Sequence, residues 1–308
     1  MSPRPRTTKP GAERAPFKPD TILTFKAGKD AAPLLQFLIE AMPDRKRTNV
    51  KNFLKHRQVM VGNTVTTQFD TPLTEGTVVK VNLSREFQTF SDRRLQIVYE
   101  DDDIIVVNKG YGLLSMGTDR KHEGTAYWLL RDYVKRVDPR NKIFIVHRLD
   151  QQTSGLMVFA RTEEAKNNLQ HNWNNMVLER RYVAIVKGRP EQDEGTISSY
   201  LAENANHEVY STDNPAEGKP AVTRYKVLKS RGGYTMLELQ LETGRKNQIR
   251  VHLKDLGLPI VGDRRYGAEA SPIHRLCLHA LTLRFIHPIT RRDMFFTSRL
   301  PEGFGKLV

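Results

Sequence analysis

His147-Arg148-Leu149-Asp150-Gln151-Gln152-Thr153-Ser154-Gly155 is a polar, turn-rich nonamer set between two apolar runs, and its reading decides the fold. Ile143-Phe144-Ile145-Val146 leads into it and Leu156-Met157-Val158-Phe159-Ala160 leads out. Short continuous apolar runs bounded by turn residues are the pattern of buried strands, so the nonamer is expected to be a loop joining two of them. A rigid scaffold presents reactive groups on such loops. Asp150 alone in the loop is both ionised at neutral pH and able to act as a nucleophile, while Thr153, Ser154 and Gly155 can turn the backbone and donate hydrogen bonds around it. The residues by themselves allow two readings: a structural turn in which Asp150 caps its own loop, or a carboxylate caged for covalent or acid–base work.

The 308 residues carry 49 Lys and Arg against 35 Asp and Glu, a formal net charge of +14. That length allows one sizeable core and a smaller module. A pI near 9.8 points to a polyanionic partner, and charge alone does not separate nucleic acid from a membrane surface. No apolar run approaches the roughly 20 residues of a membrane span, and no signal-peptide core follows the N-terminus. A soluble, cytoplasmic protein is therefore expected. Cys277, the single cysteine, excludes an internal disulfide and a cysteine-rich zinc site. His147, His252, His274, His279 and His287 show no zincin or cysteine-assisted spacing, so no metal is expected.

Residues 1–19 set five prolines among five basic residues with almost nothing to bury, the composition of a disordered basic tail. From about Pro33, Leu34, Leu35, Leu38 and Ile39 recur at helical spacing up to the break at Pro43-Asp44. A second helix follows, with Val50, Phe53 and Leu54 on one face and Arg47, Lys51 and Lys55 on another. A turn at Met60-Val61-Gly62-Asn63 and the alternating Val79-Lys80-Val81 make a small strand module closing near Ser84. Residues 85–93 are polar and lie between two strand modules, as a hinge would.

Asp101-Asp102-Asp103, read as a solvated turn, precedes the buried-strand run Ile104-Ile105-Val106-Val107. Lys109-Gly110-Tyr111-Gly112 comes after it and lacks the third glycine of a dinucleotide fingerprint. Beyond the nonamer, Thr162-Glu163-Glu164 starts a helix running through Ala165, Leu169 and Trp173. That helix leads to a glycine-bounded strand, Arg180 to Gly188. Residues 190–220 are polar and read as strands interrupted by a mobile loop. Ile249, Leu253 and Leu256 share one helical face and Gly257 stands where that helix should stop. Taken alone, Arg250 beside that face is a surface charge.

The nonamer resembles, in all seven specified residues, the signature His-Arg-Leu-Asp-x-x-Thr-Ser-Gly of pseudouridine synthases of the large-subunit ribosomal RNA type, the RluA-like family. The resemblance makes Asp150 the nucleophile. Lys109-Gly110 is similar to the family's first motif, with glycine in place of the usual proline, and Lys109 is carried over as a substrate- or RNA-binding residue. Tyr182 stands where the family has a tyrosine that stacks on the target base, normally after a lysine, and Arg181 is taken to keep that positive charge. Lys219, Ala221 and Thr223 resemble the family's Lys-x-Ala-x-Thr strand. Thr243-Gly244-Arg245 followed by Asn247-Gln248-Ile249-Arg250 resembles a motif whose last arginine pairs with the catalytic aspartate, here with Asn247 replacing a histidine. A guanidinium beside Asp150 would keep the carboxylate ionised and fix its orientation. Arg148 resembles the residue that fills the space left by a flipped base.

The likeness runs from about residue 95 to the C-terminus. It implies an α+β fold, in which a mixed, largely antiparallel sheet forms the catalytic domain at 94–308. A linker at 85–93 joins this to a small α/β module at 20–84 that resembles an S4 RNA-binding domain, with Arg47, Lys51 and Lys55 facing RNA. The implied activity is isomerisation of uridine to pseudouridine in RNA. Ribosomal RNA is the expected partner, transfer RNA the other polynucleotide open to it, and the chain is expected to act as a monomer. Asp150 would attack or deprotonate the ribose, Tyr182 and Ile249 would exclude water, and the uridine would have to leave its stack. Oxidation state and composition do not change, so no cofactor is needed. Two other classes remain open: an inactive RNA-binding or ribosome-assembly factor on the same scaffold, and a hydrolase using a carboxylate pair, for which no second carboxylate stands out.

Overall fold

The computed structural model describes residues 20–62, 64–117, 123–267 and 271–308; the basic tail 1–19 and Asn63 of the expected turn lie outside the described residues. The chain divides into two compact units, one up to Thr89 together with Arg136–Arg140, the other comprising Phe90–Lys135 and Asn141–Val308. The polar stretch 85–93 is shared between them. Arg85 pairs with Asp20 in the first, and Asp92 binds Arg94 in the second.

In the first unit β1 (Ile22–Lys26), α1 (Leu34–Ala41), α2 (Arg47–Lys55), β2 (Val59–Val61), β3 (Thr64–Val65) and β4 (Val78–Asn82) follow in order. The strands form an antiparallel sheet in the order β1-β4-β2-β3. Strand β1 had no counterpart in the sequence reading. Apolar side chains at helical spacing on α1 and α2 meet the inward residues of β4: Leu34, Leu38, Val50, Leu54, Val79 and Val81 share one core. Arg47, Lys51 and Lys55 lie on the opposite, exposed face of α2.

The second unit begins with β5 (Leu95–Glu100), β6 (Ile104–Lys109), α3 (Ala126–Val137, of which the residues up to Lys135 belong to this unit), β7 (Phe144–Ile145) and β8 (Ser154–Ala160). It continues with α4 (Glu163–His171), α5 (Trp173–Met176), β9 (Val177–Lys187), β10 (Glu194–Glu203) and β11 (Val209–Thr212). It closes with β12 (Lys219–Arg231), β13 (Tyr234–Leu241), α6 (Gln248–Asp255), β14 (Leu278–Ile286), β15 (Asp293–Thr297) and α7 (Phe304–Leu307). The strands join in one sheet, β11-β10-β12-β13-β9-β14-β8-β6-β5, with β15 on β14 and β7 on β8. Of these pairings β14 with β8 is parallel and the others are antiparallel, so the sheet is mixed and largely antiparallel.

All seven residues of β8 are buried, as the apolar run requires; full burial of each Val, Leu, Phe or Met there contributes about 1.5–3 kcal/mol. The strand begins earlier than expected, because Ser154 and Gly155 belong to it rather than to the loop. Gly155 lies between Lys109 on β6 and Ala280 on β14. A Cβ at Gly155 would come within 2.2 Å of the Ala280 carbonyl oxygen, and the backbone there has φ +119°. Only glycine fits, so the last residue of the nonamer is fixed by the parallel seam at which the loop leaves the sheet.

Three other expectations change at their ends. The Ile143–Val146 run pairs with β8 over two residues only. Helix α4, capped by Thr162 Oγ1 accepting from the Ala165 amide at 3.1 Å, stops at His171, and Trp173 opens a separate turn. Leu256 is 40% exposed, and Leu258 replaces it in the core beyond Gly257, whose φ is +76°.

Candidate active site

The loop carrying Asp150 is tied down through its backbone. Ser115 Oγ donates to the Leu149 carbonyl at 2.6 Å and accepts from the Leu149 amide at 3.1 Å. The Thr153 amide closes back on the Asp150 carbonyl. Gln151 exchanges bonds with Gly112, its carbonyl taking the Gly112 amide and its side chain reaching the Gly112 carbonyl. The ring of His147 accepts the Val158 amide at Nε2, 3.0 Å, and lies 4.8 Å from the Trp173 ring. Burial, then the charge of Arg180, holds its pKa at about 3, so His147 is neutral and anchors the loop as a fixed acceptor.

Lys109 corrects the expectation attached to it. It is fully buried at the end of β6, with no surface to offer RNA. Its Nζ donates to the carbonyls of Leu113 (2.9 Å), Gly110 (3.1 Å) and Gln151 (3.3 Å), the last belonging to the residue after Asp150. Burial pulls the ammonium down to about 7, the charge of Asp150 opposing the fall and Arg275 adding to it. Gly110 departs from proline for a visible reason: its amide donates to the Arg94 carbonyl at 2.7 Å, and a Cβ there would meet that oxygen at 2.8 Å. A proline would remove the donor and crowd the acceptor.

Helix α6 supplies the cation. Arg250 is buried, and its guanidinium grips the fully buried Asp263 through two bonds of 2.7 Å, from Nε to Oδ2 and from Nη2 to Oδ1. Its remaining nitrogen, Nη1, lies 3.7 Å from Asp150 Oδ2 and 3.3 Å from Asn247 Oδ1. Burial works against this charge, but the bonds to Asp263 and the neighbouring Asp150 hold the guanidinium above the ordinary arginine value. Asn247 takes the left-handed conformation just before α6 (φ 53°) and donates to Tyr266 Oη at 3.0 Å. Asparagine suits that backbone, and its carbonyl oxygen helps aim Arg250. Asp263 carried no role in the sequence reading. Its one signal was an acid directly after the apolar Ile260-Val261-Gly262.

Asp150, its side chain 25% exposed, opens on a cavity of about 550 Å³. That size falls within the roughly 300–1,000 Å³ typical of ligand pockets. Tyr182, Arg180, Ile249, Arg148 and Trp173 also line it. Tyr182 comes from β9 and is half-buried, and burial raises its phenol pKa, so the ring is neutral. Ile249 is 4% exposed and forms an apolar wall, whereas Arg148 is exposed at the rim. Glu242, the other carboxylate of the lining, is bound by Arg224. Arg181, expected to supply the charge beside Tyr182, points to the other face of β9 and pairs with Glu179 and Glu238. Arg180 is the cation that shares the cavity with Tyr182, because alternate residues of a strand face the same way.

The acidic turn before β6 is built rather than merely solvated. Asp101 accepts from the Asp103 and Ile104 amides through one oxygen and from Tyr99 Oη and His287 Nε2 through the other. Asp101, Asp103 and His287 lie close enough to suggest a metal site, but these four bonds already occupy the oxygens of Asp101.

Comparison with known proteins adds to this geometry. The family model for RNA pseudouridylate synthase matches residues 103–255. The chain is similar to ribosomal large subunit pseudouridine synthase D of Haemophilus influenzae, 32% identical over 290 residues and covering 89% of each chain. RNA pseudouridine synthase YlyB of Bacillus subtilis is 33% identical over 279 residues, covering 89% of this chain and 92% of that one. Among solved structures, human RNA pseudouridylate synthase domain containing 4 superposes with a TM-score of 0.57 at 25% identity, over 68% of this chain and 90% of that one.

Replacing Asp263 by Ala should leave Arg250 buried without its two short bonds. The expected cost is about 3–5 kcal/mol, read as a lower midpoint in urea unfolding; a loss under about 1 kcal/mol would mean the pair does not hold α6 in place.

Proposed function

The chain belongs to the RNA pseudouridine synthase family and is an isomerase of that class, and from this premise we propose that it converts uridines of large-subunit ribosomal RNA to pseudouridine, with Asp150 acting on the ribose. The observation that carries the assignment of Asp150 is its carboxylate, 3.7 Å from the buried guanidinium of Arg250 at the floor of a cavity shared with Tyr182. In the reaction the N1–C1′ bond breaks, a C5–C1′ bond forms, the C5 proton leaves and N1 gains one. Composition is conserved, and the protein has to manage one sugar carbon and one detached base.

Asp150 attacks the ribose or removes a ribose proton, and Arg250 fixes the carboxylate's direction without being consumed. The neutral ring of Tyr182 stacks on the everted uracil, a contact worth about 1–3 kcal/mol, while Ile249 keeps water from the sugar. Arg148, exposed at the rim, fills the gap that the uridine leaves in its stack. A hydrolase with a carboxylate pair is disfavoured, since Glu242 is already held by Arg224. In the first unit, the exposed row Arg47, Lys51 and Lys55 is the RNA-facing element of an S4-like module spanning 20–84, with 85–93 as linker and 94–308 as the catalytic domain. None of the described helices is long and apolar enough to cross a membrane, and a cytoplasmic monomer acting on ribosomal RNA fits this reading.

Mapping pseudouridines in ribosomal RNA from cells with and without the gene tests the reaction and the target together. A site should vanish in the deletion, return with the wild-type chain and stay absent with Asp150→Ala; return with Asp150→Ala would end its role, and release of free uracil would indicate a hydrolase. Arg47→Glu combined with Lys51→Glu should weaken ribosomal RNA binding and flatten its salt dependence in filter binding. Unchanged affinity would remove α2 from the RNA contact.

A further inference from the structure

We propose that Arg180, its guanidinium seated against Gly244, is a phosphate subsite that takes a backbone phosphate of the RNA strand beside the everted uridine. The proposal rests on the reading of the cavity as the uridine site and adds to it a specific anion contact.

Arg180 differs from the other arginines around the cavity. Arg250 is neutralised by Asp263, Arg181 by Glu179 and Glu238, and Arg245 donates to the Pro220 carbonyl. Arg148 is exposed and hydrated. Arg180 is half-buried on the cavity wall, and burial lowers its pKa. Among the described residues no carboxylate, carbonyl or hydroxyl is seen to accept from its guanidinium, and its nitrogens are not among the buried unpaired atoms, so they face the cavity. Its guanidinium carbon lies 6.0 Å from the ring centre of Trp173, and its charge also acts on His147 and Tyr182. A partly desolvated guanidinium that faces a cavity without a protein acceptor keeps its donors available for an anionic ligand. A fold keeps such a group at a functional site when something else supplies the missing charge.

The surroundings say what fits. Gly244 belongs to the Thr243-Gly244-Arg245 turn on the cavity wall, and a Cβ there would come within 2.7 Å of Arg180 Nη1. An alanine there would push the flexible end of Arg180 aside, so the glycine lets the guanidinium keep this place on the cavity wall. Tyr182 lies two residues along the same strand face and lines the same cavity. A base stacked on Tyr182 brings its own phosphates with it, and the planar fork of arginine matches two phosphate oxygens at once. The anionic group of an RNA strand is its phosphate, which is why we assign the subsite to phosphate rather than to the neutral uracil.

The test uses full-length enzyme and large-subunit ribosomal RNA, tritiated at uridine C5, from a strain lacking the gene. Tritium release gives kcat and KM, and filter binding at several salt concentrations gives the number of phosphates engaged. For Arg180→Gln the expected result is a KM raised tenfold or more, with the loss falling on KM rather than kcat. The slope of log affinity against log salt should fall by about 0.7–0.9, the amount for one phosphate. Arg180→Lys should restore the slope and only part of the affinity. Arg180→Met should leave the melting temperature of the free enzyme close to that of wild type, because the guanidinium faces the cavity and no protein acceptor is lost. An unchanged salt slope, even with a raised KM, would assign the contact to the base and overturn the proposal; so would a lower melting temperature with loss of kcat, which marks a packing role. If the wild-type enzyme releases no tritium, the uridine reading fails separately, while the salt slopes still decide whether Arg180 meets a phosphate.

Discussion

The two-pronged bond between Arg250 and Asp263 is the constraint on which the cavity depends. Both groups are buried, and a guanidinium in that position is tolerable only with a carboxylate in register with its fork. Asp263 takes Nε and Nη2, which leaves Nη1 facing Asp150 and Asn247. The ion pair thus fixes α6 against the turn at 262–266, and in doing so it aims a single nitrogen at the carboxylate. Asp150 is held independently, through Ser115, Gly112 and Lys109 on the backbone of residues 149–151. Two separately anchored groups meet at 3.7 Å, and in the proposed reaction this leaves little reorganisation to be done.

Two departures from the family's usual residues are absorbed by their surroundings. Gly110 lets the Arg94 carbonyl approach the turn after β6 and gives it a donor, so the missing proline is replaced by a hydrogen bond. Asn247 occupies a left-handed position before α6, links to Tyr266 and turns its carbonyl oxygen toward Arg250. Each change preserves the direction of a group nearer the cavity, which is what the neighbouring motif residues also do.

The nonamer was legible in the sequence because its polar residues interrupt two apolar runs, and seven of its nine residues match a signature; the readings of the carboxylate and the α6 arginine followed from it. Lys109 was carried over from the family's first motif as a substrate- or RNA-binding residue, and nothing local in the sequence reveals the three carbonyls that converge on its buried ammonium. Asp263 was overlooked because its partner lies 13 residues earlier on another element, and pairings at that separation leave no periodic trace. The arginine beside Tyr182 was assigned one position late, although strand alternation alone would have put Arg180 on the tyrosine's face. Composition pointed to a polyanionic partner without naming it, while the edges of β7, β8 and α4 depended on contacts across the sheet.

The most direct test of this arrangement is the single-turnover rate of tritium release from ribosomal RNA for Asp263→Asn, Arg250→Met and the variant carrying both. If Asp263 acts on the reaction only by aiming Arg250 at Asp150, the double variant will be no slower than Arg250→Met alone, as expected of residues that work as one unit. Losses that multiply would show that the two act separately and would contradict the account.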